Sequence, residues 1–282
     1  MTITTAEHND ILRANHAGVT PIVLIHGLWL PGSSWLPWRG YLEELGYATL
    51  APGWPGVPDS VAEARDRPET LAGRGLSDVT EHYAAVIRAL DRKPVLVGHS
   101  LGGLVAQRLA GEGLAAATVA LAPSPFRGVL PLSVPALRAS APVLTGRTGR
   151  HGTVMLTEPQ FRYVFGNALP AAESTELYQQ LCIPGPARPL LQSFTATLNP
   201  LTEARVDTGR PDRGPLLVVG GERDNAVPWP LAHAAYRRQA ANPNRTEIAL
   251  APGRGHSLAA DHGWREVADN ALAFLTECGV RP

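Results

Sequence analysis

A serine between small residues, an aspartate on a turn and a histidine in a glycine-flanked loop are the groups in this chain whose types and spacing suit nucleophilic chemistry. Gly98-His99-Ser100-Leu101-Gly102 follows the apolar run Pro94-Val95-Leu96-Val97 and precedes the helix-like Gly103-Leu104-Val105-Ala106-Gln107-Arg108-Leu109. A serine on a tight strand-to-helix turn needs small residues two positions to either side, because a Cβ there would collide with the serine backbone. Gly98 and Gly102 meet that need. The motif also arises by chance in Gly-rich chains, so the flanking strand-like and helix-like runs carry the weight. A serine hydroxyl is a weak nucleophile near neutral pH. It needs a histidine to take its proton and a carboxylate to orient the imidazole.

Both partners stand downstream. The run Pro215-Leu216-Leu217-Val218-Val219-Gly220-Gly221 ends in Glu222-Arg223-Asp224-Asn225, which places Asp224 on a turn leaving a buried strand. Glu222 is the competing acid, two residues earlier, and the turn position favours Asp224. Thr246-Glu247-Ile248-Ala249-Leu250-Ala251 leads into Gly253-Arg254-Gly255-His256. His256 competes with eight other histidines; His26 and His99 read as hydrogen-bonded structural groups beside the turns they flank. In open parallel sheets, reactive groups collect at the carboxyl ends of strands, so residues far apart in sequence converge there.

The elements that must position these residues alternate regularly. Strand-like segments lie near 21–25, 47–51, 94–97, 118–122, 215–221 and 246–252, with helices over 35–45, 77–92 and 264–278. Alternation of apolar strands with amphipathic helices predicts an α/β fold, a mostly parallel sheet covered on both faces. From Pro123 to about Val206 the rhythm stops, and helical pieces are expected around 158–165, 171–181 and 189–198.

Four pieces together resemble the α/β-hydrolase superfamily. They are His26-Gly27 after Pro21-Ile22-Val23-Leu24-Ile25, the turn from Gly98 to Gly102, the Asp224 turn and the Gly255-His256 loop. The resemblance implies a serine hydrolase core over 1–123 and 207–282, with a mainly helical cap inserted over 124–206. It also implies an oxyanion hole from the backbone N–H groups of Leu28 and Leu101. The family's N-terminal hairpin is expected to be missing or reduced, because only about 20 residues precede Pro21, fewer than two strands and two turns need. The stretch from His26 to Trp35 is similar to the small-molecule esterase and hydroxynitrile-lyase branch. The lyase reading needs a lysine beside the triad, whereas Lys93 lies at the far end of the strand before Ser100.

The expectation is therefore an esterase acting on a small neutral ester, lactone or thioester through an acyl-enzyme on Ser100, with His256 as base and Asp224 as its orienter. Trp29, Phe126, Phe161, Phe165 and Phe194 are candidates for the pocket wall, although a small cap also needs aromatics for its own core. Two alternatives stay open: an acyltransferase or acyl-carrier thioesterase using the same triad, and a non-catalytic small-ligand receptor on this fold.

Composition narrows the classes. Lys+Arg 25 against Asp+Glu 25 gives a formal charge of zero, which offers no basic patch for nucleic acid. The two cysteines, Cys182 and Cys278, are too few for a disulfide scaffold. No Cys/His cluster with metal-ligand spacing occurs, so no metal and no cofactor are expected. No apolar run approaches the roughly 18 to 20 residues of a membrane span, and no secretory leader pattern opens the chain, so a cytoplasmic location is expected. The oligomeric state has no signature in the sequence.

Overall fold

The six apolar runs form one parallel sheet. The computed structural model describes residues 3–58, 60–130, 133–146 and 149–282, residue 150 by its backbone only. In chain order, α1 is Thr5–Ala17, β1 Pro21–Ile25, α2 Leu36–Glu44, β2 Ala48–Leu50, α3 Val61–Asp66, α4 Leu76–Arg88, β3 Val95–His99, α5 Leu101–Gly111 and β4 Ala117–Leu121. There follow α6 Val134–Leu144, β5 Thr153–Val154, α7 Glu158–Val164, α8 Ala171–Leu181, β6 Gly185–Pro186 and α9 Ala187–Phe194. The chain closes with β7 Leu216–Gly221, α10 Trp229–Gln239, β8 Thr246–Ala251 and α11 Trp264–Glu277.

The sheet order is β2-β1-β3-β4-β7-β8, and every neighbouring pair is parallel. All residues of β1, β3, β4 and β7 are buried. Strands covered on both faces have no solvent side to carry polar residues, which is why they read as unbroken apolar runs. The edge strand β8 is only half-buried and accordingly carries Thr246 and Glu247 among its apolar residues.

Where the resemblance implied a reduced hairpin, a helix stands, and among the described residues no strand precedes β1. α1 opens with a reciprocal cap: the Glu7 N–H donates to Thr4 Oγ1 (3.2 Å) and the Thr4 N–H donates to Glu7 Oε2 (2.8 Å). Glu7 Oε1 also lies 2.8 Å from His82 Nε2 of α4, which pins the helix to the core. Burial pushes the Glu7 carboxyl up, and its hydrogen bonds from His82 and Thr4 outweigh that, leaving it below its ordinary value.

Between β4 and β7 the chain leaves the sheet to form α6–α9 and the antiparallel ribbon β5–β6. Helices α7 and α8 fall where expected; α9 starts and ends earlier than the expected 189–198. Arg65 of α3 ties this segment down, donating from Nη2 to the carbonyls of Tyr178 (2.8 Å) and Gln179 (3.0 Å) and from Nε to that of Cys182 (3.0 Å), all at the end of α8.

Behind the sheet lies a buried polar network. Arg213 is 1% exposed and donates to Gln239 Oε1 (2.8 Å), Thr246 Oγ1 (2.7 Å) and the Gly214 carbonyl (3.1 Å), while Gln239 Nε2 donates to Gln107 Oε1 of α5 (3.0 Å). Burial pulls the Arg213 guanidinium down to about 10. Among the described residues no helix is long and apolar enough to cross a membrane.

Candidate active site

Four loops leave the carboxyl ends of β1, β3, β7 and β8 and meet above the middle of the sheet. Ser100 follows β3 directly, with φ 56° and ψ −121°, and α5 begins at the next residue. The turn closes this tightly only with glycine at both flanks. A Cβ on Gly98 would lie 2.2 Å from the Gly102 carbonyl oxygen, and one on Gly102 would lie 2.1 Å from that of Ile25 in β1. The second clash is with the neighbouring strand rather than the serine's own backbone. The Ser100 N–H donates to the Leu121 carbonyl (2.9 Å), and its carbonyl accepts from the Ser124 N–H (2.9 Å).

His256 Nε2 stands 2.9 Å from Ser100 Oγ, and its Nδ1 donates to Asp224 Oδ2 at 2.7 Å. The other Asp224 oxygen accepts from the N–H groups of Ala226 (2.7 Å) and Val227 (2.8 Å), which fixes the carboxylate plane. Asp224 and His256 are 4% and 1% exposed. The structure thus brings together the three residues singled out in the sequence. It places Glu222 outside, exposed, with Oε2 accepting from the Gly253 N–H at 2.7 Å.

Both flanking histidines are structural by their contacts. His99 Nε2 donates to the His256 carbonyl (2.8 Å), and the two rings lie 4.8 Å apart between centroids. Burial, and then the proximity of the His256 ring, push His99 well below its ordinary value. His26 donates from Nδ1 to the Gly27 carbonyl (2.9 Å) and accepts the Trp54 N–H at Nε2 (3.0 Å), and burial lowers it to about 4.

Leu101 is the first residue of α5, so its N–H has no acceptor within the helix and sits at the positive end of the helix dipole. Leu28 follows β1, and both leucines line the cavity above Ser100. That cavity has a volume of about 30 Å³. Trp29, Phe165 and Phe194 stand on its wall, whereas Phe126 and Phe161 do not. Phe126 is fully buried in the core, and Phe161 stacks behind Phe165 at 4.8 Å and packs edge-on to Tyr178.

Further wall residues went unrecognised in the sequence. Val227 and Ser124 follow the ends of β7 and β4, where the strand-end rule could have found them; Ser140 and Leu190 belong to α6 and α9 and carry no such signal. Ser124 and Ser140 are each 4% exposed, and both line the cavity. Among the described residues, no group of three or more His, Cys, Asp or Glu is placed to hold a metal ion. The Cys182 thiol is buried and pushed up to about 12 by that burial, so it is no nucleophile.

A family model described as "Alpha/beta hydrolase family" matches residues 22–270. The chain belongs to that family. No curated protein is matched. Among solved structures, this alpha/beta hydrolase is similar to a monoacylglycerol lipase from Paleococcus ferrophilus, with 18% identity, 92% of this chain and 96% of the lipase covered, and a TM-score of 0.66. It is also similar to a methylesterase from Arabidopsis, with 14% identity, 92% and 100% covered, and a TM-score of 0.66. An extracellular alpha/beta-hydrolase from a Paenibacillus species has 20% identity, 90% and 98% covered, and a TM-score of 0.63. At such identities the likeness establishes a shared fold.

Proposed function

We propose that this alpha/beta hydrolase cleaves small neutral carboxylic esters through an acyl-enzyme on Ser100. The observation that carries the reading is the continuous relay from Asp224 through His256 to Ser100, with links of 2.7 and 2.9 Å, opening on an apolar cavity. The names of the similar structures, a lipase and a methylesterase, support an ester as the substrate class.

In the proposed mechanism Ser100 Oγ attacks the ester carbonyl carbon as its proton passes to His256 Nε2. The carbonyl electron pair moves onto oxygen, where the N–H groups of Leu28 and Leu101 receive it. One such donor is worth about 10²–10³ in turnover in a serine protease. Asp224 holds the ring with Nδ1–H turned away from the serine and stabilises the imidazolium. The intermediate collapses, the carbon–oxygen bond to the alcohol breaks, and His256 protonates the departing oxygen. Water, deprotonated by His256, then attacks the acyl carbon, and Ser100 leaves with the returned proton.

Residues 124–206 act in this reading as a cap that excludes water from the oxyanion. Trp29, Phe194 and Leu190 narrow the cavity above Ser100, which favours short over long acyl chains.

Treatment with a fluorophosphonate, followed by mapping of the adduct by mass spectrometry, tests the reading. The adduct is expected on Ser100 and absent in Ser100→Ala. An adduct elsewhere, or none in a preparation that hydrolyses p-nitrophenyl acetate, would overturn it.

A further inference from the structure

Trp29 holds a backbone conformation that bulky residues rarely adopt. Its φ is +66°, in the left-handed region where a Cβ crowds the following carbonyl. Two hydrogen bonds from outside the core hold it there. The indole Nε1–H donates to the Val154 carbonyl in β5 (3.0 Å), and the Ile183 N–H, just before β6, donates to the Trp29 carbonyl (2.9 Å). β5 and β6 pair with each other, so both bonds come from one ribbon of the segment between β4 and β7.

The same ribbon presses on the neighbouring residue. A Cβ on Gly185 of β6 would lie 2.7 Å from Leu28 Cδ1, 3.0 Å from Leu28 Cγ and 3.1 Å from Trp29 Cδ1. On the other side of Leu28, a Cβ on Gly27 would lie 3.0 Å from Ser100 Cβ and 3.1 Å from the His99 carbonyl oxygen. Leu28 is therefore clamped between a glycine seated on the Ser100 turn and a tryptophan anchored in the ribbon. Strain of this kind persists only where the surroundings over-determine it, and it collects at functional loops.

We infer that Trp29 is a positioning residue through which the β5–β6 ribbon aims the Leu28 N–H, so that seating the ribbon on the core assembles the oxyanion site. The inference rests on the proposed role of Leu28. When the ribbon lifts, both bonds to Trp29 break together, the left-handed turn loses its support, and the Leu28 N–H swings off its direction. Substrate entry and assembly of the reactive geometry are then alternating states of one contact.

Two variants test it. Trp29→Phe keeps a ring and removes the N–H to Val154, and Gly185→Ala sets a methyl against Leu28. For each, kcat and KM on p-nitrophenyl acetate, the affinity for a small boronic acid and the thermal midpoint are measured. A boronic acid forms a tetrahedral adduct with a serine oxygen and so reads the oxyanion donors directly. A displacement of about 1 Å costs about 100-fold, so kcat is expected to fall about 10- to 100-fold, with boronate affinity falling in parallel and KM moving less than about threefold. Unchanged kcat and boronate affinity in either folded variant overturns the inference. So does a lowered thermal midpoint with boronate affinity intact, which is the signature of packing alone. Boronate binding that survives Ser100→Ala would instead overturn the reading of Ser100, which keeps the two failures distinct.

Discussion

Acidification sets His26 against the fold. Its ring is buried, stacked on Trp54 with centroids 5.4 Å apart, and each nitrogen already has a partner suited to the neutral form. Nδ1–H donates to Gly27, and the bare Nε2 accepts the Trp54 N–H, so a second proton would meet a donor. Burial lowers the group from its ordinary 6.5 to about 4. Above pH 6.5 neither state binds the proton, and His26 adds no pH dependence. Between 6.5 and about 4 the unfolded chain takes the proton and the native state refuses it, so stability falls as pH falls, by about 1.4 kcal/mol per pH unit. Across that window of about 2.5 pH units the loss is about 3 kcal/mol, and below it both states are protonated and the contribution is flat. That is a large share of the 5–15 kcal/mol typical of a domain. His99, also lowered by burial, acts with the same sign. The assay is urea unfolding at half-unit steps from pH 7.5 to 4, for the wild type and for His26→Gln, whose amide can replace both hydrogen bonds without titrating. The variant is expected to start less stable and to lose about 3 kcal/mol less over the window. Parallel curves for the two proteins would refute the reasoning.

Two further outcomes follow from the geometry. Asp224→Asn is expected to lower kcat about 10⁴-fold, whereas Glu222→Gln, at an exposed turn, should stay within about threefold; steady-state kinetics that reverse this order would place the acid at Glu222. Arg213→Met strips donors from Gln239, Thr246 and the Gly214 and Asn244 carbonyls and should lose about 3 kcal/mol in urea unfolding with kcat unchanged; equal or greater stability would mean that desolvating the guanidinium outweighs its bonds.

Strand ends were legible in the sequence because burial on both faces leaves strands no choice but continuous apolar residues. The runs at 21–25 and 215–221 coincide with β1 and β7 within a residue, and the turns after them hold Leu28 and Asp224. Ser100 and His256 were legible for the same reason, with glycine marking the close approach at the first. α6 was not. Its buried face is Ala136, Ala139, Ser140 and Val143, while Val134, Leu137 and Leu144 are exposed, so its apolar periodicity points the wrong way, and Pro142 stands inside it. α1 was missed although the Thr4-Glu7 cap is written in the sequence, because Ile11 and Ala14 are its only buried apolar residues. Phe126 and Phe161 were misplaced because side-chain type does not separate a wall aromatic from one stacked behind it.

The division has a physical consequence for specificity. Non-glycine residues with positive φ occur, among the described residues, at Trp29, Ser100 and Ala122, and each follows the carboxyl end of a strand: β1, β3 and β4. The sheet can hold such strain because its strands are fully buried and bonded to neighbours on both sides. The Ser100 turn in the proposed mechanism is therefore borne by the buried sheet, whereas the Trp29 turn leans on the β5–β6 ribbon as well. The wall facing Ser100 comes from α6, α7 and α9, short helices whose contacts with the core are side-chain contacts and a few hydrogen bonds. Selection for size then falls on the softer layer. In the proposed mechanism, a bulky acyl group that pushed Phe194 and Leu190 aside would strain the ribbon, because α9 follows β6 directly, and would lose rate at the oxyanion rather than affinity at the wall. Discrimination against long esters should accordingly appear in kcat more than in KM, a split that a rigid pocket of fixed depth would reverse.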